Sequence, residues 1–224
     1  KTQRMDHDTT RKKHSYSQII DDFERGNTDI LIGTQMVTKG LDFDNVEVVG
    51  ILNADSMLKF PDFRALERAY QLMSQVAGRA GRKGDRGKVI IQTYDEKHEI
   101  IHQVKNHDYL QMCRKQLEER KIFKYPPYCR IISVNLQHKN ENKLDKLSKQ
   151  FAISLRKSFG NRVLGPESPG VSKIRTYHHK NILLKIETEA SVKDAKKILS
   201  KLIEQYRELK GFRAVRINMD VDPY

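Results

Sequence analysis

Three strand-length apolar runs, separated by helix-forming stretches, constrain the fold of the first half of this chain more than any other feature. They are Asp29-Ile30-Leu31-Ile32-Gly33-Thr34, residues 46–52 and residues 88–93. Apolar runs of this length are read as buried strands. Residues 15–25 place Tyr16, Ile19, Ile20 and Phe23 on one helical face and stop at Gly26-Asn27. Residues 62–73 repeat the helical spacing with Phe63, Leu66, Ala69, Tyr70 and Met73. Strands alternating with helices predict an α/β unit, a parallel sheet with helices on both faces. Such sheets hold ligands off the carboxyl ends of their strands. Thr34, the loop Asn53-Ala54-Asp55 and the segment 75–82 are expected near such ends. Asp55 is as often a cap as a ligand contact, and no catalytic role is assigned to it.

The second half reads differently. Residues 101–121 form a helical linker along Leu110, Cys113, Leu117 and Arg120, ended by Pro126-Pro127. Residues 130–136 are a strand, and 141–159 a helix with Leu144, Leu147, Phe151 and Leu155 inward. An extended segment opens at Val163-Leu164. Residues 172–177 and 182–187 are expected to pair as a hairpin around His178-His179-Lys180-Asn181. Ser191 caps a helix running to 209, and 214–221 is the last strand. This β-α-β-β-α-β order is a split βαβ sheet with helices on one face. The expected organisation is therefore a lobe at 1–100, a helical linker at 101–128 and an α+β domain at 129–224.

Charge separates the halves further. The first hundred residues hold 16 Lys+Arg against 16 Asp+Glu, whereas residues 101–224 hold 26 against 13. The whole formal excess of +13 lies in the second half, which points to an anionic partner there. No window approaches the ~18 apolar residues of a membrane span, and no signal peptide is visible at the start. The chain lacks an initiator Met and is expected to be a piece of a longer polypeptide. Its two cysteines, Cys113 and Cys129, form neither a disulfide scaffold nor a zinc site. They read as reduced thiols of a cytoplasmic protein.

The run Gln75-Val76-Ala77-Gly78-Arg79-Ala80-Gly81-Arg82 carries the sharpest chemical signal. Arginine presents a permanent charge on a planar fork that matches phosphate oxygens. Small neighbours let a ligand approach closely. This is a sensible construction for an arginine finger. A basic loop on nucleic-acid backbone, or a solvated turn, fits the same octet. Earlier, Gly33-Thr34-Gln35-Met36-Val37-Thr38-Lys39-Gly40-Leu41-Asp42-Phe43 follows a strand with a hydroxyl, a lysine and a carboxylate close together. A hydroxyl and backbone amides can hold a nucleic-acid phosphate, and a carboxylate can accept from a ribose hydroxyl. An ordinary capped turn is the other reading.

Together these segments resemble motifs V and VI of superfamily 2 helicases, and more narrowly the PriA-type primosomal helicases (primosomal protein N′), which restart stalled replication. Arg4-Met5-Asp6-His7-Asp8-Thr9-Thr10, Asp62-Phe63-Arg64-Ala65-Leu66-Glu67-Arg68, Pro126-Pro127-Tyr128 and Asp220-Val221-Asp222-Pro223 fit the same family. The resemblance implies a RecA-like helicase lobe 2, then a smaller domain resembling ribosomal protein S10. It implies that Arg79 and Arg82 reach the ATP γ-phosphate, with Gln75, Gly78 and Asp42 also near the nucleotide. Thr34, Lys39 and Gly40 match positions near the DNA backbone. It implies ATP and Mg2+ as cofactors, shared with a preceding lobe, and zinc only in a preceding part of the family's chain. Implied partners are branched or single-stranded DNA, the acidic tail of single-stranded DNA-binding protein and other primosome proteins, in the bacterial cytoplasm near the nucleoid.

The sequence contains no Gly-x-x-x-x-Gly-Lys-[Ser/Thr] and no Asp-Glu-x-His. A finger without a phosphate cradle has nothing to act on, so the chain alone is expected to be inactive as an ATPase. Lys193, Lys196, Lys197 and Lys201 line one side of the last helix. With Lys173, Arg175 and Lys180 they are expected to form a basic patch for DNA or the acidic tail, with Lys193 and Lys196 chosen for the tail. His178-His179 reads as a turn, not a metal site. The competing readings are a DNA or protein docking module, and an RNA helicase or translocating nuclease subunit.

Overall fold

The structure is a computed structural model that describes residues 1–10, 15–34, 43, 46–80 and 87–223. It divides into two compact units, Lys1–Lys115 and Gln116–Tyr224.

The first unit is mixed α/β. Its elements are β1 (Thr2–Met5), α1 (Ser15–Glu24), β2 (Ile30–Gly33), β3 (Val48–Ile51), α2 (Ala54–Leu58), α3 (Ala65–Ala77), β4 (Lys88–Ile91) and α4 (Glu99–Lys105), followed by α5 (Tyr109–Ile122), which runs into the second unit. β1 pairs in parallel with β2, Met5 opposite Gly33. β3 pairs in parallel with β4, Ile51 opposite Ile91. Both pairs are parallel, but the described strands form two separate two-stranded sheets and not the single sheet expected from the alternation of strands and helices. Ile30, Ile32, Val48 and Ile90, expected to be buried, are exposed. Ala69, Tyr70 and Met73 turn the apolar stripe of α3 into a core with Ile51, Ala54, Leu58, Ile100, Val104 and Met112.

Local chemistry shifts several boundaries. Residues 62–64 precede the helix instead of opening it. The Asp62 carboxylate accepts the Arg64 N–H at 2.7 Å, and the Asp62 carbonyl accepts the Ala65 N–H at 2.9 Å. β1 has no apolar alternation and was not expected. The loop after β3 folds into α2, because Asn53 turns the chain at a φ of 53°. The linker is two helices: His107 stands at a φ of 55°, and Asp108 restarts the chain by accepting the Gln111 N–H at 3.0 Å.

The second unit contains β5 (Cys129–His138), α6 (Glu141–Phe159), β6 (Val163–Glu167), β7 (Lys173–Ile174), β8 (Tyr177–Glu187), α7 (Val192–Glu208) and β9 (Arg216–Val221). The sheet order is β6-β8-β5-β9, with β7 beside the start of β8. All pairings are antiparallel. The β-α-β-β-α-β order expected is present, but its second strand is β6, in the segment read only as extended, and the strand expected at 172–177 is reduced to β7, Lys173–Ile174, beside β8. Ile132, Val134, Leu136, Ile182, Leu184 and Ile217 make one apolar face. Phe151 and Leu155 of α6 and Leu199 and Ile203 of α7 pack in the same core. Tyr206 meets Phe151 and Phe212 edge-on, centroids 5.0 and 4.5 Å apart. Asn140 caps α6 by accepting the Lys143 N–H at 2.9 Å, and Ser191 caps α7 by accepting the Asp194 N–H at 3.2 Å. The alternate residues Ser133, Asn135, Gln137, Asn181 and Asn218 lie on the opposite sheet face.

The expected hairpin turn at 178–181 is not where the chain reverses. The reversal is at Arg175-Thr176, with Arg175 at a φ of 54°. His178, His179, Lys180 and Asn181 are strand residues paired with His138, Gln137, Leu136 and Asn135. Continuing the ladder through this polar stretch gives its backbone groups partners. The His178-His179 turn is corrected accordingly.

Candidate functional site

The described part of the arginine octet closes α3. Gly78 stands at the C-cap and donates its N–H to the Ser74 carbonyl at 3.0 Å. The Arg79 N–H follows to the Val76 carbonyl at 3.0 Å. Gln75 stands in the last turn of α3 and Arg79 just beyond its C-cap. Gln75 is exposed and Arg79 half-buried. Arg82 lies outside the described residues. In chain order Gln75, Gly78 and Arg79 lead into the amino end of β4, not off a carboxyl end as expected. The crossover between parallel strands returns the chain to the start of the next strand.

Thr34 does meet the carboxyl-end expectation. It follows β2 directly and is exposed. Lys39, Gly40 and Asp42 lie outside the described residues. At the adjoining end of β1, Asp6 builds a tight turn: its carboxylate accepts the N–H groups of Asp8 at 3.1 Å and Thr9 at 3.0 Å. The Thr9 backbone N–H is the main reason its pKa lies below the ordinary value. The Thr10 hydroxyl donates to the Asp6 carbonyl at 2.7 Å.

Asp55 is structural. It is 6% exposed and accepts the Tyr94 N–H at 3.0 Å and the Thr93 hydroxyl at 3.3 Å. The carboxylate joins the loops that follow β3 and β4. The Tyr94 N–H is the leading cause holding its pKa below 3.8. Among the described residues, no group of three or more His, Cys, Asp and Glu side chains could hold a metal ion. No described helix is long and apolar enough to cross a membrane.

The basic positions of the second unit separate into two sets. Lys193, Lys196, Lys197 and Lys201 are exposed on α7, with Lys197 3.6 Å from Asp194. Lys173 and Arg175 are exposed on β7 and its turn. β8 lies between the sets: β7 pairs with its first residues, and α7 begins shortly after its last. An eleven-residue strand extends roughly 33 Å, so Lys193, Lys196 and Lys197 at the start of α7 lie toward the end of the sheet away from β7, with Lys201 further along the helix. Lys180 belongs to neither. It pairs with Asp145 of α6 at 2.7 Å and its side chain is 16% exposed. Its hydrogen bond holds the Asp145 carboxyl below the ordinary range. Lys180 fastens a helix to the sheet and adds no charge to an open surface, because it lies on the side that α6 covers.

Contacts around two tyrosines were not legible in the sequence. The Arg216 guanidinium lies 4.4 Å from the Tyr177 ring centroid, and the Lys139 ammonium 5.9 Å from the same ring. At the other end of the sheet, the Lys185 ammonium stands 3.6 Å from the Tyr125 ring centroid and donates to the Phe123 carbonyl at 2.7 Å. Burial pushes the Lys185 pKa down.

Comparison with known proteins assigns a class to this arrangement. Residues 1–84 match the family model of the helicase conserved C-terminal domain, so the first unit carries a RecA-like helicase lobe. Residues 121–224 match the primosomal protein N C-terminal domain. Replication restart protein PriA of Bacillus subtilis (strain 168) is 37% identical over 223 residues, covering 99% of this chain and 27% of that protein. The PriA protein of Synechocystis is 36% identical over 222 residues, 98% of this chain and 26% of that one. That of Treponema pallidum is 33% identical over 222 residues, 98% of this chain and 33% of that one. The chain belongs to the PriA family of replication restart proteins, and spans between 26% and 33% of the length of these relatives.

Proposed function

We propose that this chain is the second helicase lobe and basic C-terminal domain of an ATP-dependent DNA helicase that recognises stalled or branched forks and restarts replication by primosome assembly. The observation that carries this reading is the likeness to replication restart proteins along 98–99% of the chain. Arg79 and Arg82 supply guanidinium charge to the γ-phosphate of ATP, and Gln75, Gly78 and Asp42 shape that wall. Thr34, Lys39 and Gly40 hold the DNA backbone. The guanidinium of Arg79 suits one wall of a triphosphate site, whereas the sequence holds no phosphate cradle. ATP and Mg2+ are therefore shared with another lobe, and zinc belongs elsewhere in the protein.

In this reading 1–100 is the lobe, 101–128 a connecting helical segment and 129–224 a basic domain similar to ribosomal protein S10. The division between Lys115 and Gln116 falls inside the connecting segment. The basic domain takes branched or single-stranded DNA and the acidic tail of single-stranded DNA-binding protein, Lys193 and Lys196 facing the tail. The protein works in the bacterial cytoplasm, near the nucleoid, with other primosome proteins. The excess of cations in residues 101–224 favours, as a second reading, a docking platform whose binding does not need the lobe.

Purified chain and intact protein, each assayed for ATP hydrolysis with and without single-stranded DNA, test the proposal. The intact protein hydrolyses ATP in response to DNA and the chain alone does not. DNA-stimulated turnover by the chain alone would overturn the division of labour.

A further inference from the structure

One corner of the second unit's sheet gathers cations around an aromatic ring on the face the helices leave uncovered. Tyr177 and Asn181 alternate along β8 with Ile182, which is in the core, so they lie on the opposite face. Arg216 pairs with Gln137 across β5 and reaches over the Tyr177 ring. Lys139, Arg175, Arg213 and Arg216 are all exposed here. The nearby carboxylate of Glu141 faces His178 on the helix-covered side, 3.5 Å away. Asp220 lies four residues further along β9 from Arg216, roughly 13 Å away.

A row of amides continues from this corner toward the middle of the face. Gln137 donates to the Asn135 side-chain oxygen at 2.8 Å, and Asn135 donates to that of Asn181 at 2.7 Å. These two bonds leave the Gln137 oxygen and the Asn181 N–H groups at the ends of the row uncommitted to each other. Donors and acceptors of this kind match the Watson–Crick edges of unpaired bases, which a duplex uses in its own pairing.

We propose that this sheet face is a single-strand binding surface, and that Tyr177 and Arg216 stack unpaired bases while Lys139, Arg175 and Arg213 hold the phosphates. Stacking on aromatic rings and on guanidinium planes is the general means by which proteins hold single strands. The exposed Arg216 guanidinium, already seated on the ring, offers its outer plane to a base. Cation density at the same corner suits a polyanion, and a duplex presents no free base face to the ring. The assignment rests on the DNA-binding reading above and makes it specific: unpaired bases at the sheet corner, not duplex backbone on α7.

The test uses the 224-residue chain, a fluorescein-labelled 20-nucleotide oligothymidine and a labelled 20-base-pair blunt duplex, at low salt. Tyr177→Ala and Arg216→Ala each weaken oligothymidine binding by roughly 5- to 100-fold, the range measured for loss of a base-stacking side chain. Tyr177→Phe keeps the ring and stays within about twofold of the unsubstituted chain. The duplex loses less than about threefold with Tyr177→Ala. Photocrosslinking of the unsubstituted chain to an iodouracil oligonucleotide places the adduct on the peptide containing Tyr177, independently of any variant's folding. Unchanged oligothymidine affinity in Tyr177→Ala, equal losses for duplex and single strand, or an adduct confined to residues 192–208 would each overturn the assignment while leaving DNA binding intact. Failure of the unsubstituted chain to bind either oligonucleotide would overturn the underlying DNA reading as well.

Discussion

Gly165 gives the structure a quantitative check at the strand that borders the amide row. It stands in β6 at a φ of 91°, and an added Cβ would come 2.7 Å from the Asn181 backbone oxygen and 3.2 Å from the Glu167 backbone nitrogen. Both neighbours are main chain, and Asn181 lies in β8, so neither yields without disturbing strand pairing. Two costs therefore add in Gly165→Ala. An L residue at such a φ carries about 1–3 kcal/mol of strain. Crowding against fixed neighbours adds about 1–3 kcal/mol. The sum is about 4 kcal/mol at mid-range.

Two other glycines separate the terms. Gly160 has a φ of 61° but no heavy atom within 4 Å of an added Cβ, so Gly160→Ala costs strain alone, about 2 kcal/mol. Gly170 has neither feature, and Gly170→Ala stays within about 0.5 kcal/mol. Urea titrations followed by far-ultraviolet circular dichroism read the difference. With a slope of about 2 kcal/mol per molar urea, the midpoint of the second unit falls by about 2 M in Gly165→Ala and about 1 M in Gly160→Ala. It does not move measurably in Gly170→Ala. A Gly165→Ala midpoint no lower than that of Gly160→Ala would refute the reasoning, because the backbone overlap would then cost nothing.

Three further outcomes are expected. Charge reversal of Lys193 and Lys196 to Glu weakens binding of an acidic tail peptide by roughly 2- to 30-fold, since each exposed pairing is worth about 0.2–1 kcal/mol; unchanged affinity in a fluorescence anisotropy titration refutes their assignment to the tail. Arg175→Ala flattens the slope of log affinity for oligothymidine against log salt by about 0.7, one phosphate contact on a single strand; an unchanged slope removes Arg175 from the phosphate contacts. Asp55 has a folded-state pKa held below 3.8, chiefly by the Tyr94 N–H. Its contribution is therefore present above pH 3.8 and is lost as pH falls through the folded-state value. The gap in unfolding midpoint between the unsubstituted chain and Asp55→Asn accordingly closes as acid is added; a constant gap contradicts the hydrogen-bonding role.

Much of the fold was legible because period and capping agree with tertiary packing. The inward stripe Leu144, Phe151 and Leu155 and the cap at Ser191 are local features that the core of the second unit keeps. Parallel pairing of β3 with β4 follows from the alternation of strands and helices. The failures have a common cause, which is pairing between distant residues. β1 is a strand because β2 lies beside it, and its own residues carry no apolar alternation. The reversal at Arg175 depends on β5 being long enough to pair with β8 from His178 to Glu187. Lys180 looks like a surface cation until Asp145 is seen 2.7 Å away. Tyr177 and Arg216, 39 positions apart, meet only across β5. In the candidate site itself, Gln75, Gly78, Arg79 and Thr34 are placed, whereas Arg82, Asp42, Lys39 and Gly40 fall outside the described residues.

The most direct measurement of the proposed activity is ATP hydrolysis by the intact protein carrying Arg79→Ala, with saturating single-stranded DNA. Loss of a guanidinium that neutralises developing charge on the transferred phosphoryl group lowers turnover by roughly 10³- to 10⁵-fold. ATP binding, followed with a fluorescent nucleotide, is retained. Turnover equal to that of the unsubstituted protein would contradict the role given to the end of α3.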